Sequence, residues 1–489
     1  MLLEDFIQLL SFDESNSDQK IALYRQLSQT IRQGVLTGAI PSGTQLPASR
    51  YLASTLSISR STVTNAYEQL QSEGIVESTR GAGTYVCDFD IKPKVQGRND
   101  AYKETSHLFS KRVQGLIQPC TAPNTKNQPL FAPGISDLSR FPDRYWKTMS
   151  NRFAHQQLGY AINQENVGGY KPLREAIVSH LKITRDIECT ADHVFIMNGL
   201  QHATRFVFDW LCDAGDKILI EDPGYIGVMS SALMSGLDIE PLALDEYGAV
   251  IPRENCKPKV IYLTPSHQFP MGINMERSRR LEMIEYAHAN NTWIIEDDYD
   301  NEFPLKPKPQ AAMKALDIHQ RVIYTGTFSK VLANYIKVSY LVVPQQLAET
   351  MRSAYKHVAI EVPLTQQAII ASYIEEGYFH KHLRAMRAIY SKKQITMIRL
   401  IDKYFIGLGT RQGGNAGLHA VVEFTKKLND QAICNEASQH NLGCMALSNF
   451  CLATKRSGLL IGFCYGEPEE MEQGMIKLAD IVKYHHEIN

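Results

Sequence analysis

Residues 322–330 read VIYTGTFSK, in which an apolar run passes into small hydroxyl residues and ends in a lysine. The run at 322–325 is rich in β-branched and aromatic residues and predicts a buried strand. Thr327, Ser329 and Lys330 then follow directly, and open α/β sheets bind ligands just beyond the carboxyl ends of their strands. The stretch therefore predicts a strand that presents an amine and two hydroxyls to a ligand, although a lone lysine is usually only a surface charge.

Similar strand-like runs recur through the second part of the chain and alternate with helical patterns. They cover residues 217–221, 260–264, 293–296 and 340–343. Such alternation is typical of an α/β fold whose sheet is largely parallel.

Two further motifs stand at the ends of predicted strands. NGLQ at 198–201 precedes an amphipathic helix whose first N–H groups can hold a phosphate, although a plain helix cap is the alternative. The strand at 293–295 runs into EDDYD at 296–300, which could equally be a solvated or metal-binding turn. Alternation along the strand puts Asp297 and Asp298 on opposite faces without deciding which one meets a ligand. An amine, a carboxylate and a phosphate-holding helix start are together what pyridoxal 5'-phosphate (PLP) requires.

The first part of the chain has a different pattern of apolar residues. Apolar residues recur every four positions and predict an amphipathic helix over residues 20–36. Pro47 can open a second helix and Ser59 can cap a third, with a short turn between the two. Residues 75–86 read as two short strands around a glycine turn. Three helices and a hairpin predict a winged helix-turn-helix.

The third predicted helix begins with side chains suited to DNA. A recognition helix enters the major groove by its N-terminal end, where short polar and forked basic side chains reach the nucleic acid. Residues 20–85 also carry six basic and three acidic residues, a local positive excess. The alternative is an ordinary solvated helix face. The candidates by residue type are Arg50, Ser59, Arg60, Ser61, Thr62 and Thr64.

The composition limits the classes of protein that remain. The chain has 489 residues, 44% of them hydrophobic, which suffices for two or more cores. Its 51 basic and 52 acidic residues exclude a surface that is basic throughout, so any DNA contact is local. Nine scattered cysteines, no signal segment and no apolar run of about 18 residues predict a cytoplasmic protein without a membrane span.

Residues 88–128 separate the two parts and show only weak apolar periodicity. We interpret them as a linker in which residues 106–117 can hold a short helix. The predicted organisation is a winged helix-turn-helix at 1–87, a linker at 88–128 and an α/β effector domain at 129–489.

Four motifs of the first part resemble, in order, the head of the GntR superfamily: LPASR at 46–50, SRSTV at 59–63, AYEQL at 66–70 and GAGTYV at 81–86. The resemblance implies that the head binds double-stranded operator DNA, and phosphate contacts should outnumber base contacts. The DNA-binding residues that it implies are Arg50, Ser59, Arg60, Thr62 and Gly83.

The second part resembles the fold-type I aminotransferases over nearly its whole length. The motifs are FAPG at 131–134, GGYKPLR at 168–174, EDPGY at 221–225, TPSHQ at 264–268 and GTFSK at 326–330. With the GntR-like head, the whole chain resembles the MocR-type regulators. The implied fold class is α/β, with an N-terminal winged helix-turn-helix and a fold-type I PLP-dependent aminotransferase-like domain.

The resemblance also implies roles for single residues. Lys330, the catalytic candidate, would form the Schiff base with PLP. Asp297 would pair with the pyridinium nitrogen, Tyr299 would bond the ring oxygen and Tyr225 would stack on the ring. His267 is expected near the cofactor or ligand, and no metal is expected. The cofactor-binding residues are thus Lys330, Asp297, Tyr299, Tyr225, Leu200, Gln201, Thr327, Ser329 and Lys337, the last five at the phosphate.

Three positions depart from the aminotransferase pattern. Lys337 stands where the family has an arginine, and a flexible ammonium grips phosphate less specifically than a guanidinium fork. Phe269 replaces the asparagine of the Asn-Pro-x-Gly motif. Leu460 replaces the arginine that holds the substrate carboxylate, and Arg456 lies out of register. We therefore expect as effector PLP itself, an amine or an ω-amino acid rather than an ordinary α-amino acid.

The leading hypothesis is a PLP-dependent DNA-binding transcriptional regulator that senses a small metabolite, without physiological turnover. The resemblance implies that it forms a homodimer. An active PLP-dependent aminotransferase with an appended DNA-binding head is the alternative, against which Leu460 and Phe269 count. A third reading is a regulator whose body has lost PLP and only dimerises. The retained Lys330, Asp297 and Tyr225 oppose that reading.

Overall fold

A computed structural model describes residues 22–79, 83–88, 110–114, 128–155, 166–300, 302–303, 311–332, 336–358, 361–413 and 417–488. The chain divides into two compact units, residues 1–105 and 106–489. The wing turn at 80–82 and most of the predicted linker lie outside the described residues.

In the described residues of the first unit, three helices pack with a small antiparallel sheet. Its elements are α1 (Leu23–Leu36), β1 (Gln45–Leu46), α2 (Ser49–Thr55), α3 (Arg60–Ser72), β2 (Val76–Thr79) and β3 (Gly83–Val86). The strands pair in the order β1-β3-β2. The predicted winged helix-turn-helix is therefore confirmed.

The core of this unit explains why these segments are helical. Leu27, Ile31, Val63 and Leu70 are fully buried, and each belongs to the apolar stripe of its helix. The Tyr67 hydroxyl donates to the carbonyl oxygen of Pro47 at 2.9 Å, which ties α3 to the start of α2. Pro47 itself precedes α2, which begins at Ser49, so the prediction that it opens the helix is two residues early.

Residues 110–114 are the longest described part of the predicted linker and belong to the second unit. They contain the short helix α4 (Lys111–Gln114), which lies within the helix predicted at 106–117. The Arg112 Nη1 atom donates to the carbonyl oxygen of Met234 at 3.0 Å. This end of the segment therefore packs on the body, whereas the boundaries 1–87 and 88–128 stay predictions.

The second unit contains the remaining elements. The helices are α5 (Asp143–His155), α6 (Lys171–Arg185), α7 (Leu200–Leu211), α8 (Ile226–Ser235), α9 (Arg277–Ala289), α10 (Met313–Leu316), α11 (Gln345–Val358), α12 (Leu364–Glu375), α13 (Tyr378–Tyr404), α14 (Asp430–Gln439) and α15 (Pro468–Glu487). The strands are β4 (Val194–Met197), β5 (Lys217–Asp222), β6 (Asp238–Asp245), β7 (Gly248–Ala249), β8 (Val260–Leu263), β9 (Trp293–Asp297), β10 (Val322–Thr327), β11 (Ser339–Val342), β12 (Gly409–Gln412), β13 (His419–Phe424), β14 (Met445–Ala446) and β15 (Gly458–Gly462).

A large mixed sheet forms the centre of the second unit. Over the described residues its strand order is β4-β11-β10-β9-β8-β5-β6-β7. The pairs β10-β9, β9-β8, β8-β5 and β5-β6 are parallel, whereas β11 runs antiparallel to both of its neighbours. All residues of β9 and β10 are buried, because apolar clusters cover the sheet on both faces. The predicted α/β class with a largely parallel sheet is confirmed.

A smaller antiparallel sheet lies toward the C-terminus. Its strands pair in the order β12-β13-β15-β14, and α13, α14 and α15 pack against it around a core of its own. Within the part of the chain that is described, the helices lack the combination of length and apolarity that crossing a membrane requires.

Candidate cofactor cavity and DNA-binding surface

A cavity of about 210 Å³ lies beyond the carboxyl ends of β4, β5, β8, β9 and β10. This is the edge where open α/β sheets place their ligands. All nine predicted cofactor residues line it. Its lining residues are Gly134, Asn198, Gly199, Leu200, Gln201, Tyr225, Phe269, Asp297, Tyr299, Thr327, Ser329, Lys330, Lys337, Leu418 and His419.

Lys330 reaches the cavity from the turn after β10. Its Nζ donates to the carbonyl oxygen of Gly134 at 2.6 Å. Burial lowers the pKa of Lys330, and the nearby carboxylate of Asp300 opposes that shift. Gly134 has a φ of +71°, and a Cβ on it would lie 2.8 Å from the lysine nitrogen. The position therefore needs a glycine if the amine is to stay where it is.

Asp297 is the last residue of β9, and one neighbouring side chain hydrogen-bonds to it. The Tyr262 hydroxyl donates a hydrogen bond to its Oδ2 atom. Its Oδ1 atom is buried, and among the described residues no group hydrogen-bonds to it. Burial raises the pKa of Asp297 to about 8, although the hydrogen bond from Tyr262 lowers it. An oxygen in this state is satisfied by a cationic donor on the cavity side.

The start of α7 forms another side of the cavity. Gly199 precedes the helix with a φ of +80°, and the first amides of a helix have no carbonyl partner within it. A Cβ on Gly199 would lie 3.8 Å from the Cβ of Lys337, so this lysine stands beside the helix start. The Thr327 Oγ1 atom accepts from the Ser329 amide at 3.2 Å. Amides, hydroxyls and an ammonium group make this side suitable for an anion.

Aromatic rings enclose the remaining side. The Phe269 ring meets the rings of Tyr225 and Tyr299 edge-on, with both centroid distances at 5.8 Å. His419 lies 5.4 Å from the same ring, and burial lowers its pKa to about 4, so it is neutral at pH 7. The sequence interpretation missed His419, because a histidine that opens the apolar strand β13 looks like any core residue.

His267 is near the cavity but is absent from its described lining. Its Nδ1 atom lies 2.9 Å from the Tyr299 hydroxyl and 2.8 Å from Asp300 Oδ2. Tyr299 lines the cavity, and His267 lies one side chain further out.

Leu460 and the out-of-register Arg456 both have structural roles. Leu460 is fully buried in β15 and packs with Met271, Val421 and Phe450. Arg456 forms two hydrogen bonds with the Glu423 carboxylate, at 2.8 and 2.7 Å. Neither residue is among those that line the described cavity, whose lining contains no arginine.

The predicted DNA residues of the first unit include the start of α3. Ser59 is its N-cap, and the Ser59 Oγ atom accepts from the Thr62 amide at 3.1 Å. The two hydroxyls also lie 2.8 Å apart. The predicted cap is present, and it fixes the end of the helix that a major groove would receive.

Arg50, Arg60 and Gly83 lie on three elements of this unit. Arg50 is in the first turn of α2 and Arg60 begins α3, and both side chains are exposed. Gly83 has a φ of +114° where the wing strand β3 begins, and a Cβ on it would lie 2.5 Å from Gln45 Nε2. Arg32, by contrast, forms two hydrogen bonds with Glu73, at 2.8 and 2.6 Å.

Comparison with known proteins agrees with this architecture. Residues 23–86 match the family of bacterial regulatory proteins called the gntR family. The chain is 31% identical over 463 residues to the probable rhizopine catabolism regulatory protein MocR of Rhizobium meliloti, covering 94% of each chain. It is 26% identical over 470 residues to the HTH-type pyridoxine biosynthesis transcriptional regulator PdxR of Corynebacterium glutamicum, covering 96% of this chain and 97% of that one.

The body also has solved structural neighbours. One is LysN, the α-aminoadipate aminotransferase of Thermus thermophilus, complexed with N-(5'-phosphopyridoxyl)-L-leucine. It superimposes with a TM-score of 0.70 at 21% identity, covering 78% of this chain and 99% of LysN. The likeness establishes an aminotransferase fold.

A GntR-type head fused to an aminotransferase-like body defines a class of DNA-binding transcriptional regulators. The chain belongs to this class, and within it to the MocR family.

Proposed function

We propose that this regulator binds PLP in the cavity at Lys330 and that occupancy of the cavity controls operator binding by the head. A small effector, either PLP itself or an amine that reacts with bound PLP, would be the signal. PLP supplies an aldehyde that captures a primary amine covalently and reversibly.

The observation that carries this proposal is the state of Asp297. Its Oδ1 atom is buried and faces no donor among the described residues, and its pKa is raised to about 8. A carboxylate in this state costs free energy unless a cation meets it. The protonated nitrogen of a pyridine ring is such a cation. The residues present therefore fit the cofactor.

The other lining residues fit the remaining parts of PLP. The amides of Leu200 and Gln201, with Lys337, provide positive potential for a phosphate. The lowered pKa of Lys330 leaves more of its amine neutral and nucleophilic than that of an exposed lysine. Tyr225 lines the cavity with an aromatic side chain. These chain residues bind, orient and carry the reactive amine.

The lining supports a particular class of effector. The described lining contains no arginine, and the position equivalent to the carboxylate-binding arginine is the buried Leu460. A ligand carboxylate on the aromatic side would lose water without gaining a fixed cation. The site thus favours PLP alone, or an amine without an α-carboxylate, over an ordinary α-amino acid. The same feature counts against a working aminotransferase.

Regulation requires that cavity occupancy and DNA binding be coupled. Couplings of this kind are typically about 1–3 kcal/mol, or roughly 5- to 150-fold in affinity. We expect a homodimer whose two heads meet an operator with two half-sites. We also keep the sequence-based expectation that the protein acts in the cytoplasm.

The first test is the visible absorption spectrum of the full-length protein with PLP, before and after borohydride. The wild type should show a band that borohydride bleaches, and Lys330→Ala should not. Lys314→Met is the matched control, because burial lowers the pKa of Lys314 to about 8 but this lysine does not line the cavity. This control should keep the band. A wild type without the band would favour a cofactor-free dimerisation or ligand module.

The second test measures coupling on an operator duplex selected in vitro with the full-length protein. Adding PLP, or PLP with an effector amine, should change the wild-type affinity by at least about fivefold. Lys330→Ala should show no such change. Equal affinities for the wild type under all conditions would mean that the cavity does not regulate the head.

A further inference from the structure

Three polar side chains meet beside the cavity wall. The His267 Nδ1 atom lies 2.9 Å from the Tyr299 hydroxyl and 2.8 Å from Asp300 Oδ2. Tyr299 is 9% exposed, and His267 and Asp300 are 4% exposed each. One ring nitrogen thus faces two oxygens, and it can carry only one proton.

The carboxylate of Asp300 determines which ring nitrogen of His267 carries the proton. A bare Nδ1 would point its lone pair at the Asp300 oxygen, which repels it. Its proton would then be on Nε2, which is buried and has no hydrogen-bond partner among the described residues. A proton on Nδ1 removes both problems, because the nitrogen then donates to Asp300. His267 is therefore expected to carry its ring proton on Nδ1.

This tautomer determines how Tyr299 bonds. A nitrogen that donates to Asp300 cannot accept the Tyr299 proton, so the phenol keeps that proton for another partner. Burial, followed by the charge of Asp300, raises the pKa of Tyr299 well above its ordinary value, so the phenol stays neutral. Tyr299 lines the cavity. Asp300 is also an acceptor for this hydroxyl, so a ligand oxygen in the cavity competes with Asp300 for the phenol proton.

The packing holds the histidine ring in this position. A Cβ on Gly417, whose φ is +79°, would overlap the His267 ring and come within 2.6 Å of Asp300 Oδ2. The His419 ring lies 5.3 Å from His267 and the Tyr299 ring lies 6.0 Å away. The ring is thus confined by the glycine backbone and by two aromatic neighbours.

We infer that His267 and Asp300 are a positioning pair that makes Tyr299 a hydrogen-bond donor toward the cavity, for a ligand that presents an anionic oxygen there. The pair touches no ligand itself. Naming that oxygen as the phenolic oxygen of PLP rests on the proposed function. The tautomer of His267 does not depend on PLP.

The first experiment examines the tautomer in the full-length protein without PLP. Nitrogen-15 NMR of histidine-labelled protein distinguishes a protonated from a bare ring nitrogen, and His267→Phe identifies the signals of His267. We expect a protonated Nδ1 in the wild type and a protonated Nε2 in Asp300→Asn, because an amide in place of the orienting carboxylate can reverse the tautomer. A protonated Nε2 in the wild type would overturn the inference.

The second experiment follows the Lys330-dependent PLP band as a function of pH. A hydrogen bond donated to the phenolic oxygen favours its anionic form and weakens proton binding at the lysine linkage. Tyr299→Phe should therefore raise the midpoint of the pH titration of this band by about one pH unit. Asp300→Asn should raise it by less, because the reversed His267 then accepts the hydrogen bond from Tyr299 while the loss of the Asp300 charge lowers the midpoint. His267→Phe should change it less.

The combination Asp300→Asn with His267→Phe gives the sharpest outcome. Since the double variant has no histidine nitrogen that can accept the hydrogen bond from Tyr299, the midpoint of the titration should return toward that of the wild type. A midpoint that stays raised in the double variant, or a His267→Phe shift as large as that of Tyr299→Phe, would overturn the inference.

The chain offers a matched control in a second histidine–carboxylate pair. His319 Nε2 lies 3.0 Å from Glu285 Oε1, and neither residue lines the cavity. His319→Phe and Glu285→Gln should leave the midpoint unchanged. If the wild type shows no Lys330-dependent band, the proposed function fails, and the NMR result alone still decides whether the pair positions Tyr299.

Discussion

Asp297 and Asp298 are neighbours in the chain but have separate partners in separate cores. The Tyr262 hydroxyl donates to Asp297, whereas Arg185 Nε lies 2.7 Å from Asp298 Oδ2. The Tyr324 hydroxyl also donates to Asp298 at 2.7 Å, and Tyr262 and Tyr324 belong to different apolar clusters of the sheet. Asp298 is thus paired with a cation inside the fold, whereas Asp297 forms no ion pair among the described residues and has an unpaired oxygen beside the cavity.

The unpaired state of Asp297 predicts a pH-dependent stability in the protein without PLP. The folded state holds the Asp297 proton up to a pKa of about 8, whereas the unfolded state loses it near the ordinary value of 3.8. The stability that Asp297 contributes therefore falls as the pH rises through that window. Asp297→Asn removes this loss, so its Tm relative to wild type should be higher at pH 8 than at pH 5. A pH-independent Tm difference between the two proteins would contradict the assignment.

The buried ion pair between Arg185 and Asp298 predicts a loss of stability when its cation is removed. The side chains of Arg185 and Asp298 are 2% and 1% exposed, so Arg185→Met leaves a buried carboxylate without its cation. The free energy of unfolding of the second unit should fall by about 3–5 kcal/mol. Arg456→Met is the control, because the Arg456–Glu423 pair is 30% and 24% exposed and should contribute about 1 kcal/mol or less. Denaturant titration followed by near-UV circular dichroism measures both, and equal losses would contradict the argument.

The sequence predicted the motifs that contain Gln201, Asp297 and Lys330 because they stand at strand ends, where parallel strands bring their side chains to one edge. Residues 322–330 are the clearest example. The roles of Tyr225 and Lys337 were implied only by the family resemblance.

Periodicity could not choose between Asp297 and Asp298, since that choice depends on Arg185, which reaches Asp298 from a distant helix. His419 was missed for a similar reason. Its place in the cavity depends on the smaller sheet meeting the loop after β8, and no local pattern encodes that contact.

DNA binding should depend on salt through the exposed arginines. If Arg60 contacts a phosphate, Arg60→Ala should weaken operator binding and reduce the slope of log affinity against log salt by about one. Arg50→Ala should behave similarly. Arg32→Ala is the control, because Arg32 is paired with Glu73, and it should leave the slope unchanged. Fluorescence anisotropy on a labelled duplex at several salt concentrations measures the slope, and an unchanged slope for Arg60→Ala would rule out the phosphate contact.

The aromatic side of the cavity predicts which amines react with the PLP-loaded protein. Phenethylamine and phenylalanine differ only in the α-carboxylate, for which the described lining offers no arginine. Phenethylamine should therefore change the visible band at a concentration at least about tenfold lower, a difference of about 1.4 kcal/mol. Spectral titration of the wild type with each compound provides the comparison. Tighter, saturable binding of phenylalanine would show that the carboxylate is recognised after all.

The most direct test of the central claim is to locate PLP on the chain. The full-length protein is incubated with PLP, reduced with borohydride and digested, and the peptides are sequenced by mass spectrometry. We predict a phosphopyridoxyl group on Lys330, with Lys314 and Lys337 unmodified. Modification of another lysine in place of Lys330, or of none at all, would contradict the claim.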